Sequence, residues 1–120
     1  MMAGKARLFG ATELLDRIIA STTPDKAKAL GRQIEGFDEA RWVQARYQLV
    51  VDGNKAKFAQ NPELGAFLRA TEGWVLVEAS PVDFIWGIGL AKDHADAHNP
   101  AQWRGLNLLG FALMDVRGAM

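Results

Sequence analysis

One stretch of this chain stands apart from the rest. Residues 74–79, Trp-Val-Leu-Val-Glu-Ala, are β-branched and aromatic, and Gly73 and Ser80-Pro81 bound them as they would bound a strand. Almost everything else carries apolar residues at helical spacing. Residues 2–9 and 12–20 read as short helices, the second with Leu14, Leu15, Ile18 and Ile19 on one stripe. Thr23-Pro24-Asp25 is a helix start, a hydroxyl cap followed by proline and an acid in the first turn. That helix runs through Ala27 and Leu30 and should end near Gly31. Asp38 caps the next, whose stripe is Trp42, Ala45, Leu49 and Val50, with Gly53 a candidate break before Phe58. Asn61-Pro62 opens another short helix with Leu64, Phe67 and Leu68 facing inward. Residues 80–104 are loop-rich, and Gly105 to Arg117 form a last helix with Leu106, Leu109, Leu113 and Val116 on its core face. The expected fold is α+β: a helix-dominated single domain, residues 1–120, with a few short strands.

Charge and residue usage narrow the function classes. Lys plus Arg equals Asp plus Glu, 14 against 14, so the formal net charge is zero. A general nucleic-acid or membrane-surface binder would need a cationic excess. There is no cysteine, which excludes disulfides, thiolate nucleophiles and Cys-ligated zinc and suits a reducing cytoplasm. No apolar run approaches the roughly 20 residues needed to span a bilayer.

The densest chemistry lies in Leu76-Val-Glu-Ala-Ser-Pro-Val-Asp-Phe-Ile-Trp-Gly-Ile-Gly-Leu90. A strand would deliver Glu78, stop at Pro81 and leave Asp83 just beyond its end. Trp86 offers a flat face for a base or sugar. Gly87 and Gly89 let the backbone approach a ligand closely and aim amides at a phosphate. Glycosidic cleavage calls for such parts: a carboxylate to stabilise an oxocarbenium-like ribose or activate water, and an acid for the leaving base. The plainer alternative makes Glu78 a hydrogen-bonded strand acid and Asp83 a turn cap.

Asn107, Gly110, Met114 and Arg117 recur at spacings of three, four and three, and so share a helix face distinct from the leucine stripe. A glycine inside a helix costs about 1 kcal/mol against alanine, and a close neighbour, backbone or ligand, would explain Gly110. Lys5, Arg32, Arg46 and Lys57 lie beside or within apolar helical stretches, where one or two could hold a phosphate. His94 and His98 are four apart, but Asn99-Pro100 breaks any helix there and no third ligand is evident, so no metal site is assigned.

Together these segments resemble the NADAR family (NAD- and ADP-ribose-associated, or YbiA-like, domains). The match runs from Met1-Met2-Ala-Gly-Lys5-Ala6-Arg7-Leu8-Phe9 through Ala27-Lys28-Ala29-Leu30-Gly31-Arg32 and Phe37-Asp38 with Trp42 and Arg46. It continues with Lys57-Phe58-Ala59-Gln60-Asn61 and Leu76-Val77-Glu78 to Gly89. It ends with Trp103-Arg-Gly105-Leu-Asn107-Leu-Leu109-Gly110 and Leu113-Met114-Asp-Val-Arg117. Six ordered blocks in register cover nearly the whole chain.

The resemblance implies N-glycosidase activity without a metal or cofactor, on a base linked to ribose 5-phosphate or ADP-ribose. The substrates it implies are early phosphorylated pyrimidine intermediates of riboflavin biosynthesis, or derivatives of NAD and ADP-ribose, with nucleic acid a partner only if ADP-ribosylated. Asp83 and Glu78 would be catalytic. Lys5, Arg32, Arg46, Trp86, Gly87, Gly89, Asn107 and Arg117 would bind substrate. One departure bears on activity. Family members begin with a further strand-like, aromatic segment carrying a site glutamate, and this chain starts at the helix just after it. The domain therefore reads as N-terminally incomplete, with exposed surface favouring a homo-oligomer. The alternative function is a non-catalytic ADP-ribose- or nucleotide-binding module.

Overall fold

The computed structural model describes residues 1–120. It consists of six α-helices and a 3₁₀ turn: α1 (Met2–Leu8), α2 (Thr12–Ala20), α3 (Pro24–Gly31), α4 (Glu39–Gln60), α5 (Pro62–Ala70), the turn Pro100–Gln102, and α6 (Leu108–Gly118). There is no strand, so the α+β expectation is overturned: the fold is helical. Residues 75–79 belong to no strand ladder, because the single main-chain bond from a second segment, Ile88 N–H to Glu78 C=O, does not continue into a ladder. The amide of Asn107 takes up hydrogen bonds that a neighbouring strand would otherwise have made.

The chain divides into two compact units, Met1–Leu49 and Val50–Met120. In the first, α1, α2 and α3 pack mutually around Ala6, Ile18 and Ile34. Ala6 is wholly buried, and Leu14, Leu15, Ala27 and Leu30 pack against that cluster. Ile19 does not share the buried stripe and is 64% exposed. Thr23 caps α3, its Oγ1 accepting from Lys26 N–H at 3.2 Å, a bond type worth about 1 kcal/mol. Asp38 likewise starts α4, its Oδ1 accepting from Ala40 N–H at 3.0 Å.

Helix α4 runs unbroken through Gly53, contrary to the expected break. In the second unit, α5 opens at Pro62 as expected, but its inward face is Gly65 and Leu68. Phe67 lies about 100° round the helix from Leu68 and is 74% exposed; Leu64 is also exposed. The last helix starts at Leu108 rather than Gly105, because Asn107 takes a left-handed conformation at φ 53° and ends the preceding loop. Ala112 and Val116 are its buried apolar positions, whereas Leu106 precedes the helix and is exposed. A separate cluster of Ile88, Leu90 and Ala97, with Ala79 and Trp103 against it, holds the long loop 80–107 in a fixed shape. Trp103 completes it by donating Nε1–H to Ala97 C=O at 2.9 Å.

Candidate active site

The loop that carries Asp83 is held by main-chain hydrogen bonds rather than by regular structure. The carbonyls of Phe84, Ile85, Trp86, Gly87 and Ile88 accept from the amides of Leu106, Leu108, Leu109, Asn107 and Gly105 respectively, at 2.8–3.1 Å. Ile88 N–H in turn donates to Glu78 C=O at 2.9 Å. Residues 84–88 are thus fastened on one side to the entry of α6 and on the other to the extended segment. Such a density of main-chain bonds lets an irregular loop hold its shape.

Close approach makes the glycines necessary. A Cβ built on Gly87 would lie 2.9 Å from Glu78 O, 3.0 Å from Asp83 O and 3.3 Å from Glu78 Cγ. The main-chain carbonyls of Glu78 and Asp83 therefore both close on Gly87. Gly89 has φ 71°, which disfavours any side chain, and lies against the Phe84 ring.

Asp83 is half-buried, and its Oδ1 accepts from Ile85 N–H at 3.0 Å and Trp86 N–H at 2.8 Å. This side-chain-to-backbone turn fixes the backbone under the Trp86 indole, with Trp86 C=O held by Leu109 N–H at 3.1 Å. Glu78 reaches solvent while its main chain is bonded on both sides.

Asn107 and Arg117 are engaged with backbone. Asn107 is fully buried; its Oδ1 accepts from Glu78 N–H and its Nδ2 donates to Leu76 C=O, both at 3.0 Å. Arg117 Nη1 donates to Thr71 O, Thr71 Oγ1 and Trp74 O at 2.7, 3.0 and 2.9 Å. A side chain at Gly110 would run into the Leu76 carbonyl, so the close neighbour anticipated for this glycine is backbone. Asn107, Gly110 and Arg117 thus form one ridge that grips residues 71–78. Sequence spacing placed them on one face but not against that segment.

Lys5, Arg32 and Arg46 belong to the first unit. Lys5 Nζ stands 4.7 Å from the Phe37 ring centroid and 5.6 Å from that of Trp42, a cation–π contact on two rings. Arg32 is exposed at the end of α3, and Arg46 is half-buried in α4. In the loop of the second unit, His94 Nδ1 accepts from Asp96 N–H at 3.0 Å, a turn contact. The sequence reading missed a groove of about 710 Å³ lined by Trp74, Val75, Val77, Ala97, Pro100 and Trp103, among others. The alternation of Val75, Val77 and Ala79 was its only signal.

The glycine-bearing loop thus carries Asp83 and Trp86, and Glu78 lies in the extended segment fastened to it through Ile88 N–H. The whole chain, residues 1–120, matches the NADAR domain model, and it belongs to the NADAR family. It is 42% identical over 117 residues to N-glycosidase R617 of Acanthamoeba polyphaga mimivirus, covering 98% of this chain and 69% of that protein. It is 39% identical over 118 residues to Protein irg-1 of Caenorhabditis elegans, covering 97% of this chain and 56% of that protein. Riboflavin biosynthesis protein PYRR of Zea mays is 33% identical over 111 residues, 89% of this chain and 16% of its own length. No helix is long and apolar enough to cross a membrane.

Proposed function

We propose that this chain is an N-glycosidase that hydrolyses the bond between a base and a ribose 5-phosphate or ADP-ribose. Family membership and a relative named as an N-glycosidase support the reaction class. The PYRR relative supports riboflavin-pathway intermediates as substrates. The observation that carries the site assignment is the Asp83 mount. One carboxylate oxygen is spent holding the Ile85 and Trp86 amides, which fixes the side chain and leaves the other oxygen without a protein hydrogen bond.

In this reading the base or sugar stacks on Trp86. As the C1′–N bond breaks, positive charge grows on the ribose, and the fixed Asp83 carboxylate stabilises it at no cost in reorganisation. Water then adds to C1′ and gives up a proton to a carboxylate, while the leaving base takes a proton from the second acid, Glu78. No metal is needed, since the charge to be stabilised is on the sugar. For Lys5, Arg32 and Arg46, which lie in the first unit, a phosphate-binding role rests on the family resemblance alone. Gly87 and Gly89 serve the site by admitting the loop's own main chain and the Phe84 ring rather than a ligand, while Asn107 and Arg117 position the segment that bears Glu78. The proposed setting is cytoplasmic.

Incubation with a ribosylaminopyrimidine phosphate, NAD and ADP-ribose should release free base or ribose phosphate from at least one of them. No release from any, by folded protein, sinks the proposal. One observation favours a binding-only module instead: Oδ1 of Asp83 already serves as a turn cap. Calorimetric binding of ADP-ribose without turnover would select that reading.

A further inference from the structure

A substrate that carries a phosphate needs a cation in its site as well as carboxylates. A phosphate ester is nearly dianionic at neutral pH. The loop that bears Asp83 is fastened to the segment that bears Glu78, and two carboxylates without a cation would repel the phosphate while attracting the cationic ribose. The second unit, Val50–Met120, holds six lysines and arginines: Lys55, Lys57, Arg69, Lys92, Arg104 and Arg117. Their surroundings separate them.

Five are placed elsewhere. Arg117 holds the turn at residues 71–74. Lys57 Nζ lies 5.7 Å from the Phe58 ring centroid. Lys55 and Arg69 line a cavity of about 520 Å³ with Phe58, Pro62 and Met120. Lys92 borders the groove walled by Trp74 and Trp103, whose lining includes neither Asp83 nor Trp86.

Arg104 is mounted on the site loop itself. Its N–H and that of Gly105 both donate to Ile88 C=O, at 2.9 and 2.8 Å. A Cβ built on Gly89 would lie 2.7 Å from the Phe84 ring and 3.0 Å from Arg104 Cβ. Gly89 is thus the notch where the stem of Arg104 meets the ring of the residue next to Asp83. Leu106 N–H, two residues after Arg104, holds Phe84 C=O at 3.0 Å. Trp103, just before it, is pinned through Nε1–H to Ala97 C=O. The backbone of Arg104 is therefore fixed against residues 84–89, and its side chain is exposed there.

We infer that Arg104 reads the phosphoryl group on O5′ of a substrate whose ribose lies at Asp83. The placing of the ribose rests on the N-glycosidase reading. Arginine suits the task, since its planar fork binds two phosphoryl oxygens at once. Packing of its stem against Gly89 and Phe84 limits the freedom lost when the fork closes on an anion. Arg104 thereby selects phosphorylated ribosides over free nucleosides.

The test is calorimetric titration of ribose 5-phosphate, ADP-ribose and unphosphorylated ribose into the unaltered chain, Arg104→Gln, Arg104→Lys and Lys92→Gln. At least one phosphorylated ligand is expected to bind more tightly than ribose, and which one does so tells a monoester site from a pyrophosphate site. Arg104→Gln should weaken that binding about 10- to 100-fold, Arg104→Lys should weaken it less, and Lys92→Gln should leave it unchanged. The main-chain bonds of Arg104 do not involve its side chain, so the unfolding transition should stay in place in both variants. The inference is overturned if neither phosphorylated ligand binds the folded chain, if Arg104→Gln binds as well as the unaltered chain, or if Lys92→Gln loses as much. An Arg104 Nε–H resonance that does not move on saturation with the bound ligand overturns it too, and needs no variant. Binding requires no turnover: Arg104-dependent binding without hydrolysis rejects the N-glycosidase reading and leaves the phosphate contact standing.

Discussion

Asn107 holds Glu78 by its main chain: Oδ1 of the buried asparagine accepts the Glu78 amide at 3.0 Å. The same side chain donates to the Leu76 carbonyl on the near side. One side chain therefore replaces a neighbouring strand over two residues, and it does so from a left-handed backbone position that asparagine tolerates well. Asn107→Ala leaves two backbone groups unsatisfied and forces alanine into φ 53°. A loss of about 2–4 kcal/mol in denaturant unfolding is expected. Asn107→Gly relieves the strain and should cost less, by about 1 kcal/mol.

Gly110 and Gly53 are both helical glycines, yet alanine should have opposite effects at the two. At Gly53 nothing lies within 4 Å of a new Cβ, and Gly53→Ala should stabilise by about 0.5–1 kcal/mol. At Gly110 the methyl meets the Leu76 carbonyl and the Asn107 amide, so Gly110→Ala should destabilise by about 1–3 kcal/mol despite alanine's better helix propensity. Thermal unfolding of the two variants side by side gives the signs.

Arg117 closes the turn at residues 71–74 through three bonds from a single nitrogen. Arg117→Met keeps the aliphatic stem and removes the donors, which should cost about 2 kcal/mol. Amide exchange should show the loosening concentrated at Thr71 to Trp74. Uniform loosening across α6 would mean that the arginine acts chiefly through packing.

The helices were legible because their signals are local. Thr23-Pro24-Asp25, Asp38 and Asn61-Pro62 each start a helix where the chain says, and Thr23 and Asp38 do so through the expected side-chain bonds. The strand was misread because strand composition is only half of a strand. Trp74 to Ala79 has the residues, but a ladder also needs a neighbour, and here the neighbour is an asparagine 31 residues further on from Leu76. The spacing of Asn107, Gly110 and Arg117 was visible. That they grip carbonyls and an amide of residues 71–78 depends on the loop returning through Ile88 and Leu90, which no local pattern encodes. Asp83 was read both as a site acid and as a turn cap. The structure supplies the cap, and the catalytic role is the proposal.

Those two roles of Asp83 can be separated by one substitution. Asn keeps an Oδ1 acceptor for the Ile85 and Trp86 amides but removes the charge, whereas Ala removes both. The decisive measurement is the rate of base release from a ribosylaminopyrimidine phosphate by the unaltered chain and by Asp83→Asn, with unfolding stability recorded in parallel. The expected result is measurable hydrolysis that falls about 100-fold or more in Asp83→Asn while stability stays within about 0.5 kcal/mol. Full activity in Asp83→Asn would contradict the account, leaving Asp83 as the cap of a turn and nothing more.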